Sequence, residues 1–338
     1  MSVANNSPAT LADVAAAAGV SRSTASRALN DSPRISDATK RRVRDAARDI
    51  GFVPNARGRA LAVGRSETIA VLITEPLREL FDDPTFSAFL GGITEQLSES
   101  EYLPVLLQAS TKKERERVRK HLERRSFDAV INISPYEGSE LLEALRELRV
   151  PTVLCGQLED HPYRGTFSTV YSDDVEGGAL AAEALRRRGR SHCVAILGPR
   201  GNPASADRLR GYRSVLGDQL GDEHVLFTGW DATAGFLAMR DLLKRGEVID
   251  GVLAGSDRIA AGALEALTEH DINVPRDVSV IGFDDHPIAS RTTPRLTTVH
   301  QPLIEEGGLA ASTALAMIDG AAASTLVLHM HLVERDSV

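Results

Sequence analysis

The sequence predicts a small all-α headpiece followed by a larger α/β core of two lobes, each a parallel doubly wound sheet. Before residue 51, apolar residues recur at helical spacing, and a glycine interrupts the pattern. From Glu67 onward, short β-branched runs alternate with helical stretches, as in parallel sheets joined by crossover helices. Strands are about twice as numerous as one such sheet needs, so the 338-residue chain is predicted to form two lobes.

Two short helices open the predicted headpiece. Val14 and Ala18 lie on one apolar helical face, and Gly19 then permits a sharp turn. Ser21 is suited to cap a second helix, Arg22–Leu29, whose outward face carries arginine and serine. This arrangement is typical of a helix-turn-helix motif that enters the DNA major groove. The alternative at this point is a solvated helical hairpin whose arginines only maintain solubility.

A third helix is predicted after Ser36, with Val43, Ala47 and Ile50 in its inward stripe. The motifs T-L-A-D-V-A-x-x-A-G-V-S, S-R-A-L-N and G-F-V-P-N-A resemble those of the LacI/GalR family of bacterial transcription regulators. This resemblance extends over nearly the whole chain and implies a DNA-binding headpiece at residues 8–54. Together, the motif and the resemblance predict a set of DNA-binding residues: Thr10, Ser21, Arg22, Ser23, Thr24, Ser26, Arg27, Asn30, Asn55, Arg57 and Leu61.

Residues 55–66 are predicted to be a hinge. The segment Ala56–Ala62 is too short to be a stable helix in isolation, and Gly58 weakens it by about 0.8–1.0 kcal/mol relative to alanine. Without DNA, a flexible linker is therefore the alternative. In the family, this segment forms a helix on the operator, and a leucine wedges into the central base step of the minor groove. Leu61 occupies that leucine position, whereas Gly58 stands where alanine is commoner.

The charge is divided unequally along the chain. The whole chain has a net charge of −8, which would argue against nucleic acid. The first 66 residues, however, hold 11 basic and 5 acidic residues, a net of +6, which leaves 28 basic and 42 acidic residues, a net of −14. A basic headpiece on an acidic core indicates that phosphate is attracted at one end only.

The remaining composition predicts a cytoplasmic protein. The two cysteines, Cys155 and Cys193, lie in apolar runs and are expected to be buried free thiols. The N-terminal residues lack the apolar core of a signal peptide, and no run reaches transmembrane length. We therefore expect no membrane partner.

The core is predicted as two series of strands separated by helices. The final helix is expected at Pro302–Ile318 and a final strand at Thr325–Val333. The first series contains Thr68–Thr74, Leu103–Gln108, Ala129–Ile133 and Thr152–Cys155, and the second contains Val194–Leu197, Val225–Thr228, Gly251–Ala254 and Val278–Phe283.

This core, residues 67–338, resembles the periplasmic-binding-protein-like effector domain of the family. In that fold the chain crosses between the lobes three times. The resemblance implies a near lobe of about 67–168 plus 303–330 and a distal lobe of about 169–301 plus the C-terminal residues. The chain ends without a leucine-heptad segment, which within the family predicts a homodimer rather than a tetramer.

Candidate effector contacts follow the strands, because ligands of open α/β sheets bind outside the carboxyl ends of the strands. Arg208 matches a family arginine that contacts effector hydroxyls or a carboxylate; a surface salt bridge is the alternative. Trp230 matches an aromatic residue that stacks on a sugar ring, with core packing as the alternative. Ser256, Asp257 and Asp284 match cleft-facing strand ends, although helix capping would also explain such residues. The set is completed by Thr74, Ser134 and Gln301.

The sequence thus predicts a DNA-binding repressor controlled by a small effector, most simply a sugar or sugar derivative, and a pseudo-palindromic double-stranded operator as its partner. A purine or nucleoside is the alternative effector. A solute-binding or sugar-acting protein with an incidental basic extension is the alternative class. Motifs of common hydrolases, phosphate-binding loops and zinc proteases do not occur, so we expect no enzymatic activity, cofactor or metal.

Overall fold

The computed structural model describes residues 9–53, 65–133, 139–156 and 162–338. The chain divides into two compact units, Met1–Ser66 and Glu67–Val338. Within the described residues, no helix is long and apolar enough to cross a membrane.

The N-terminal unit contains three helices: α1 (Leu11–Ala17), α2 (Arg22–Leu29) and α3 (Asp37–Asp49). Their small apolar residues form one core; its fully buried members are Val14, Ala25, Ala28 and Val43. The small side chains of Ala25 and Ala28 allow short helices to approach closely enough to exclude water. The turn between α1 and α2 contains Gly19 at a φ of +62°, a conformation that favours glycine.

The second unit contains two six-stranded sheets. The first has the order β11-β5-β4-β3-β1-β2, and all of its neighbouring strands are parallel. Its strands are β1 (Thr68–Ile73), β2 (Leu103–Gln108), β3 (Ala129–Ile133), β4 (Thr152–Cys155), β5 (Ser168–Ser172) and β11 (Thr325–Leu328). Its helices are α4 (Leu77–Asp82), α5 (Pro84–Leu97), α6 (Lys112–Glu123), α7 (Glu140–Glu147) and α12 (Leu303–Ile318).

The second sheet repeats this plan in the order β12-β10-β9-β8-β6-β7, with β12 antiparallel to β10 and the other neighbours parallel. Its strands are β6 (Cys193–Leu197), β7 (Val225–Phe227), β8 (Gly251–Ala254), β9 (Ser279–Asp284), β10 (Thr297–His300) and β12 (His331–Val333). Its helices are α8 (Asp174–Arg187), α9 (Pro203–Leu216), α10 (Ala232–Lys244) and α11 (Asp257–Glu269). The fold class is thus confirmed: helical headpiece, then two doubly wound sheets.

The connections differ from the prediction in two places. The segment Ser168–Ser172 is a strand of the first sheet, so the chain leaves this lobe after Ser172 rather than after Ser168. The single strand predicted at Thr325–Val333 is two strands in different sheets. The physical reason is the third lobe crossing, since one continuous strand cannot belong to both lobes. With the crossings after β5 and β10, the chain passes between the lobes three times.

Helices on each lobe pack unusually closely where glycines face a neighbouring backbone. A Cβ at Gly178 of α8 or at Gly211 of α9 would overlap the backbone of the other helix. Because this contact leaves no room for a side chain, it sets the position of α9, the helix that carries Arg208.

Candidate functional site

The outward face of α2 is exposed and preorganised by capping. Arg22, Ser23 and Arg27 are exposed, as is Asn30 at the helix end. Ser21 caps the helix by accepting a hydrogen bond from the Thr24 amide at 3.1 Å. A fixed helix start holds the arginines that follow it at defined angles, which is what base-edge contacts in a major groove require.

Several of the predicted DNA-binding hydroxyls already have partners within the headpiece. Thr10 forms a capping box with Asp13, donating its hydroxyl to the carboxylate at 2.7 Å. The hydroxyls of Ser23 and Thr24 lie 2.9 and 2.8 Å from that of Ser21. Ser26 is half-buried beside them on α2. These hydroxyl groups therefore stabilise the helix-turn-helix motif, in addition to being candidate hydrogen-bond donors to DNA.

The headpiece arginines differ in their electrostatic partners. Asp31 pairs with Lys40 at 3.4 Å and with Arg44 at 2.6 Å, and its pKa is lowered chiefly by hydrogen bonding to Lys40. Within the described residues, Arg22 and Arg27 have no carboxylate partner. The positive charge on α2 is therefore free to act on phosphate or base acceptors.

The second unit contains a cavity of about 340 Å³ between its two lobes, at the carboxyl ends of both sheets. Its walls include five of the predicted effector residues: Arg208, Trp230, Ser256, Asp284 and Gln301. In both sheets, the connections from two adjacent strands run to opposite faces of the sheet. A crevice opens between these connections at the carboxyl ends of the strands.

Arg208 is the centre of a buried polar cluster in this cavity. It is 5% exposed, and its Nε donates to Asp174 at 2.7 Å. Its Nη1 donates to the carbonyl of Gly255 and lies 3.2 Å from Asp284. Its Nη2 donates to the Gln301 side chain at 3.3 Å. The surface salt bridge offered as an alternative is therefore wrong.

The cluster shifts the pKa values of its members. Burial alone would lower the pKa of Arg208, but the charges of Asp174 and Asp284 raise it. Burial raises the pKa of Asp174, and the arginine offsets only part of that effect. A guanidinium held between two carboxylates stays charged and keeps its orientation.

Trp230 follows β7 and is half-buried on the cavity wall. A Cβ at Gly198 would overlap the indole ring, so the ring packs directly on that glycine. The guanidinium carbon of Arg208 lies 5.6 Å from the ring centroid. The ring is therefore fixed in place and borders the cavity rather than lying wholly in the core.

Asp257 and Thr74 are not placed as predicted. Asp257 is fully buried and does not line the cavity. Its carboxylate accepts hydrogen bonds from the His286 amide at 2.7 Å and from the Thr298 hydroxyl at 2.5 Å. Asp257 thus connects the start of α11 to β10 and to the segment after β9. Its neighbour Ser256 lines the cavity and caps α11.

The prediction of Asp257 as an effector contact is therefore corrected to a structural role. In the loop after β1, the cavity wall is formed by Glu75 and Pro76 instead of Thr74. Four further predicted residues lie outside the described part of the chain: Asn55, Arg57, Leu61 and Ser134.

Six acidic cavity residues were missed by the sequence reasoning: Glu75, Asp83, Asp174, Asp207, Asp231 and Glu306. Asp174 follows the unpredicted strand β5, so its position at a strand end was not visible. Glu306 could have been found from helix periodicity, because it shares the buried face of α12 with Leu303 and Ala310. Burial raises the pKa of Glu306 to about 8.

No group of three or more histidine, cysteine or acidic side chains that could hold a metal occurs in the described ranges. The helical unit and the two-lobed unit with its cleft define a class: regulators that join a DNA-binding headpiece to a periplasmic-binding-protein-like domain. The profile of the bacterial regulatory proteins of the lacI family matches residues 10–55, and that of the periplasmic binding protein-like domain matches residues 182–338.

The chain belongs to the lacI family of bacterial regulatory proteins, and it is a transcriptional regulator, not an enzyme. It is 34% identical to the HTH-type transcriptional regulator CelR of Thermobifida fusca over 333 residues, 97% of this chain and 98% of CelR. The ribose operon repressor of Escherichia coli K12 is 32% identical over 310 residues, 89% of this chain and 91% of that protein.

Two solved structures show the same fold. The complex of the regulator CelR with cellobiose superposes with a TM-score of 0.77 at 33% identity, covering 98% of this chain and 100% of that one. The lac repressor dimer bound to operator and the anti-inducer ONPF superposes with a TM-score of 0.85 at 24% identity, covering 98% and 99%.

Proposed function

We propose that the chain is a homodimeric repressor of the bacterial cytoplasm, whose affinity for a pseudo-palindromic operator is controlled by a sugar or sugar derivative bound between the core lobes. The observation that carries this proposal is the buried cluster of Arg208, Asp174, Asp284 and Gln301 in the cleft. A rigid set of donors and acceptors at fixed spacing suits the hydroxyls of a sugar ring.

The relatives support the same effector class. Cellobiose is bound by CelR in its solved complex, and the name of the ribose operon repressor connects that relative to ribose. Trp230 adds an apolar ring face on the cavity wall, which pairs well with the C–H face of a sugar. The cavity of about 340 Å³ falls within the range of small-molecule sites.

On DNA, each α2 would lie in the major groove of one half-site, with Arg22, Ser23 and Arg27 toward the base edges. The predicted hinge residues Asn55, Arg57 and Leu61 would grip the centre of the operator from the minor groove. Closing the cleft on its ligand would change the relation of the two subunits and so bias operator binding. Ligand and DNA then affect each other's binding reciprocally.

Thermal-shift measurements on the full chain with sugars and nucleosides test the effector class, because a ligand that binds the folded state raises the melting temperature. Hits are then added to a fluorescence-anisotropy titration of the protein on operator DNA. A sugar that binds and changes operator affinity supports the proposal. A nucleoside that does so instead of any sugar would overturn the sugar assignment.

Trp230→Ala tests the site itself. The variant is expected to lose the ligand response while its operator affinity stays near that of the parent, because Trp230 lies in the cleft. Unchanged ligand affinity in a folded Trp230→Ala protein would place the effector elsewhere.

A further inference from the structure

The near-lobe floor of the cleft contains a carboxyl group that the Arg208 cluster does not neutralise. Glu306 on α12 lines the cavity and is 2% exposed. Its Oε2 accepts a hydrogen bond from the Ser172 hydroxyl at 2.7 Å. Among the residues that the structure describes, no lysine or arginine lies within ion-pair distance of it. The Gln301 side chain and the Ser172 backbone also hydrogen-bond to this carboxyl, so any further polar partner must come from the cavity side.

The surroundings of Glu306 are otherwise largely apolar. The nearby cavity wall includes Phe89, Ile133, Cys155 and Leu303, which belong to the buried core of this lobe. A carboxyl in such a place is costly unless it is hydrogen-bonded, and this cost is what raises its pKa. A hydroxyl or ammonium group of a ligand would recover part of that cost.

The charge balance of the whole cavity also favours a ligand that donates hydrogen bonds or carries a positive charge. Its wall contains a single arginine, Arg208, among the described residues. Seven carboxyl groups share this wall: Glu75, Asp83, Asp174, Asp207, Asp231, Asp284 and Glu306.

Three arginines in or beside the cavity wall are already engaged by protein acceptors. Arg208 is held by Asp174, Asp284, the Gly255 carbonyl and Gln301. Two arginines outside the wall pair with wall residues: Arg258 with Asp83 at 3.1 Å, and Arg210 with Asp207 at 2.9 Å. A bound anion would meet carboxylates that repel it and only cations that are already paired.

We propose that the cleft selects its effector by charge: it accepts saccharides that are neutral or carry an amine, it rejects sugar acids and sugar phosphates, and Glu306 is the specificity residue. This inference depends on the proposed function, because it narrows the class of sugar that the same cleft takes. Glu306 receives a hydroxyl or ammonium donor of the bound saccharide. A carboxylate or phosphate at that point would lie against an acidic, poorly solvated wall.

Isothermal titration of the full chain with matched sugars tests the rule. One set is glucose, glucosamine and glucuronate; a second is cellobiose, the β-1,4-linked glucosamine disaccharide and cellobionate; a third pair is ribose and ribose 5-phosphate. In every set that binds, the anionic member is expected to bind at least about 30-fold more weakly, since like charges placed together cost several kcal/mol.

Glu306→Gln then tests the residue. The amide keeps the shape and an acceptor but cannot form the carboxylate that a neighbouring ammonium group favours at Glu306, so the preference for the amine over the acid is expected to fall by about tenfold. Glu305→Gln is the matched control, because Glu305 is the exposed neighbour on the same helix. It is expected to retain the parent's order of affinities.

The outcomes separate this proposal from the proposed function. If an acid or phosphate member binds the parent most tightly, the charge rule is overturned, and regulation by a sugar stands. An unchanged amine-to-acid ratio in Glu306→Gln overturns the assignment to this residue. If no saccharide of any charge binds, the sugar assignment and the charge rule both fail.

Discussion

The headpiece and the cleft present their polar side chains in opposite ways. On α2, Arg22 and Arg27 are exposed and belong to one eight-residue helix. In the cleft, Arg208 is buried and contacts Asp174, Gly255 and Gln301, which are 34, 47 and 93 residues away along the chain. The first site is built by local structure, and the second exists only when the tertiary fold is complete.

Because of this difference, substitutions on α2 should change the affinity for DNA, whereas substitutions in the buried cluster should also change the stability of the fold. A side chain that faces solvent before DNA arrives can be removed without cost to the fold, since exposed substitutions usually change stability by less than about 0.5 kcal/mol. A buried charge in a network cannot be removed without such a cost, because its partners then remain buried without a compensating charge. Substitutions in the two regions should therefore differ in kind as well as in size.

Arg208→Ala is expected to have the largest effect. It leaves Asp174 and Asp284 buried without their shared cation, so unfolding free energy should fall by about 3–5 kcal/mol and the effector response should be lost. Urea denaturation followed by circular dichroism measures the first effect. Arg186→Ala, at an exposed ion pair on α8, is the control and should unfold like the parent. Equal stability of parent and Arg208→Ala would show that the cluster is not a structural network.

Glu306→Gln should change the stability of the cleft region by an amount that depends on pH. The folded-state pKa of Glu306 is about 8, whereas the ordinary value is 4.5. Between pH 4.5 and about pH 8, the folded protein therefore holds a proton that the unfolded chain has released. Stability therefore falls as pH rises from about 4.5 to about 8, and the full penalty persists above that. The variant should be more stable than the parent by roughly 2–4 kcal/mol at pH 9, with little difference at pH 4.5.

Melting curves of the parent, Glu306→Gln and the exposed control Glu305→Gln across this pH range provide the measurement. The control should follow the parent at every pH, because Glu305 is exposed on the solvent side of α12. A constant difference between Glu306→Gln and the parent would mean that Glu306 is charged throughout.

Arg27→Ala should act on DNA affinity alone. Loss of a base contact should cost about 1–3 kcal/mol at one symmetric operator position and leave the melting temperature unchanged. Binding to operators with single base-pair changes, measured at several salt concentrations, resolves the position. Arg41→Ala, an exposed arginine of α3, is the control for general loss of positive charge. Equal weakening of Arg27→Ala on all sequences would identify Arg27 as a phosphate contact.

The same contrast explains what the sequence could predict. The bounds of α2 were predicted without error, because Ser21, Gly19 and the alanine pattern act within a few residues. Arg208 was found because it matches a family arginine on the helix that follows a recognisable strand. Asp257 was misassigned, since the sequence cannot tell a carboxyl that faces the cavity from one that faces Thr298 behind it. The apolar stripe of α12 indicates that Glu306 is buried, but its role was missed because its partner, Ser172, is 134 residues away.

The smallest expected effect concerns the contact between the lobes. Arg258 on α11 donates to Asp83, the N-cap of α5, at 3.1 Å, and the Thr85 hydroxyl lies 3.1 Å from His286 Nε2. These two contacts join the distal lobe to the near lobe beside the cavity. The Arg258 and Asp83 side chains are about 15% exposed, so their pairing is worth more than that of a surface pair but less than the Arg208 cluster.

Arg258→Ala should therefore weaken the closed cleft by about 1 kcal/mol, roughly a fivefold change, and most of it should appear as faster effector release, because mutations within one interface act chiefly on dissociation. Arg258 is the better choice than Asp83, whose carboxylate also caps α5 through the Thr85 amide. Stopped-flow release of a bound sugar measures the effect, with Arg276→Ala, at an exposed ion pair, as control. If release from Arg258→Ala is as slow as from the parent, the ion pair does not hold the lobes together, and closure depends on the ligand's own contacts with Arg208 and its partners.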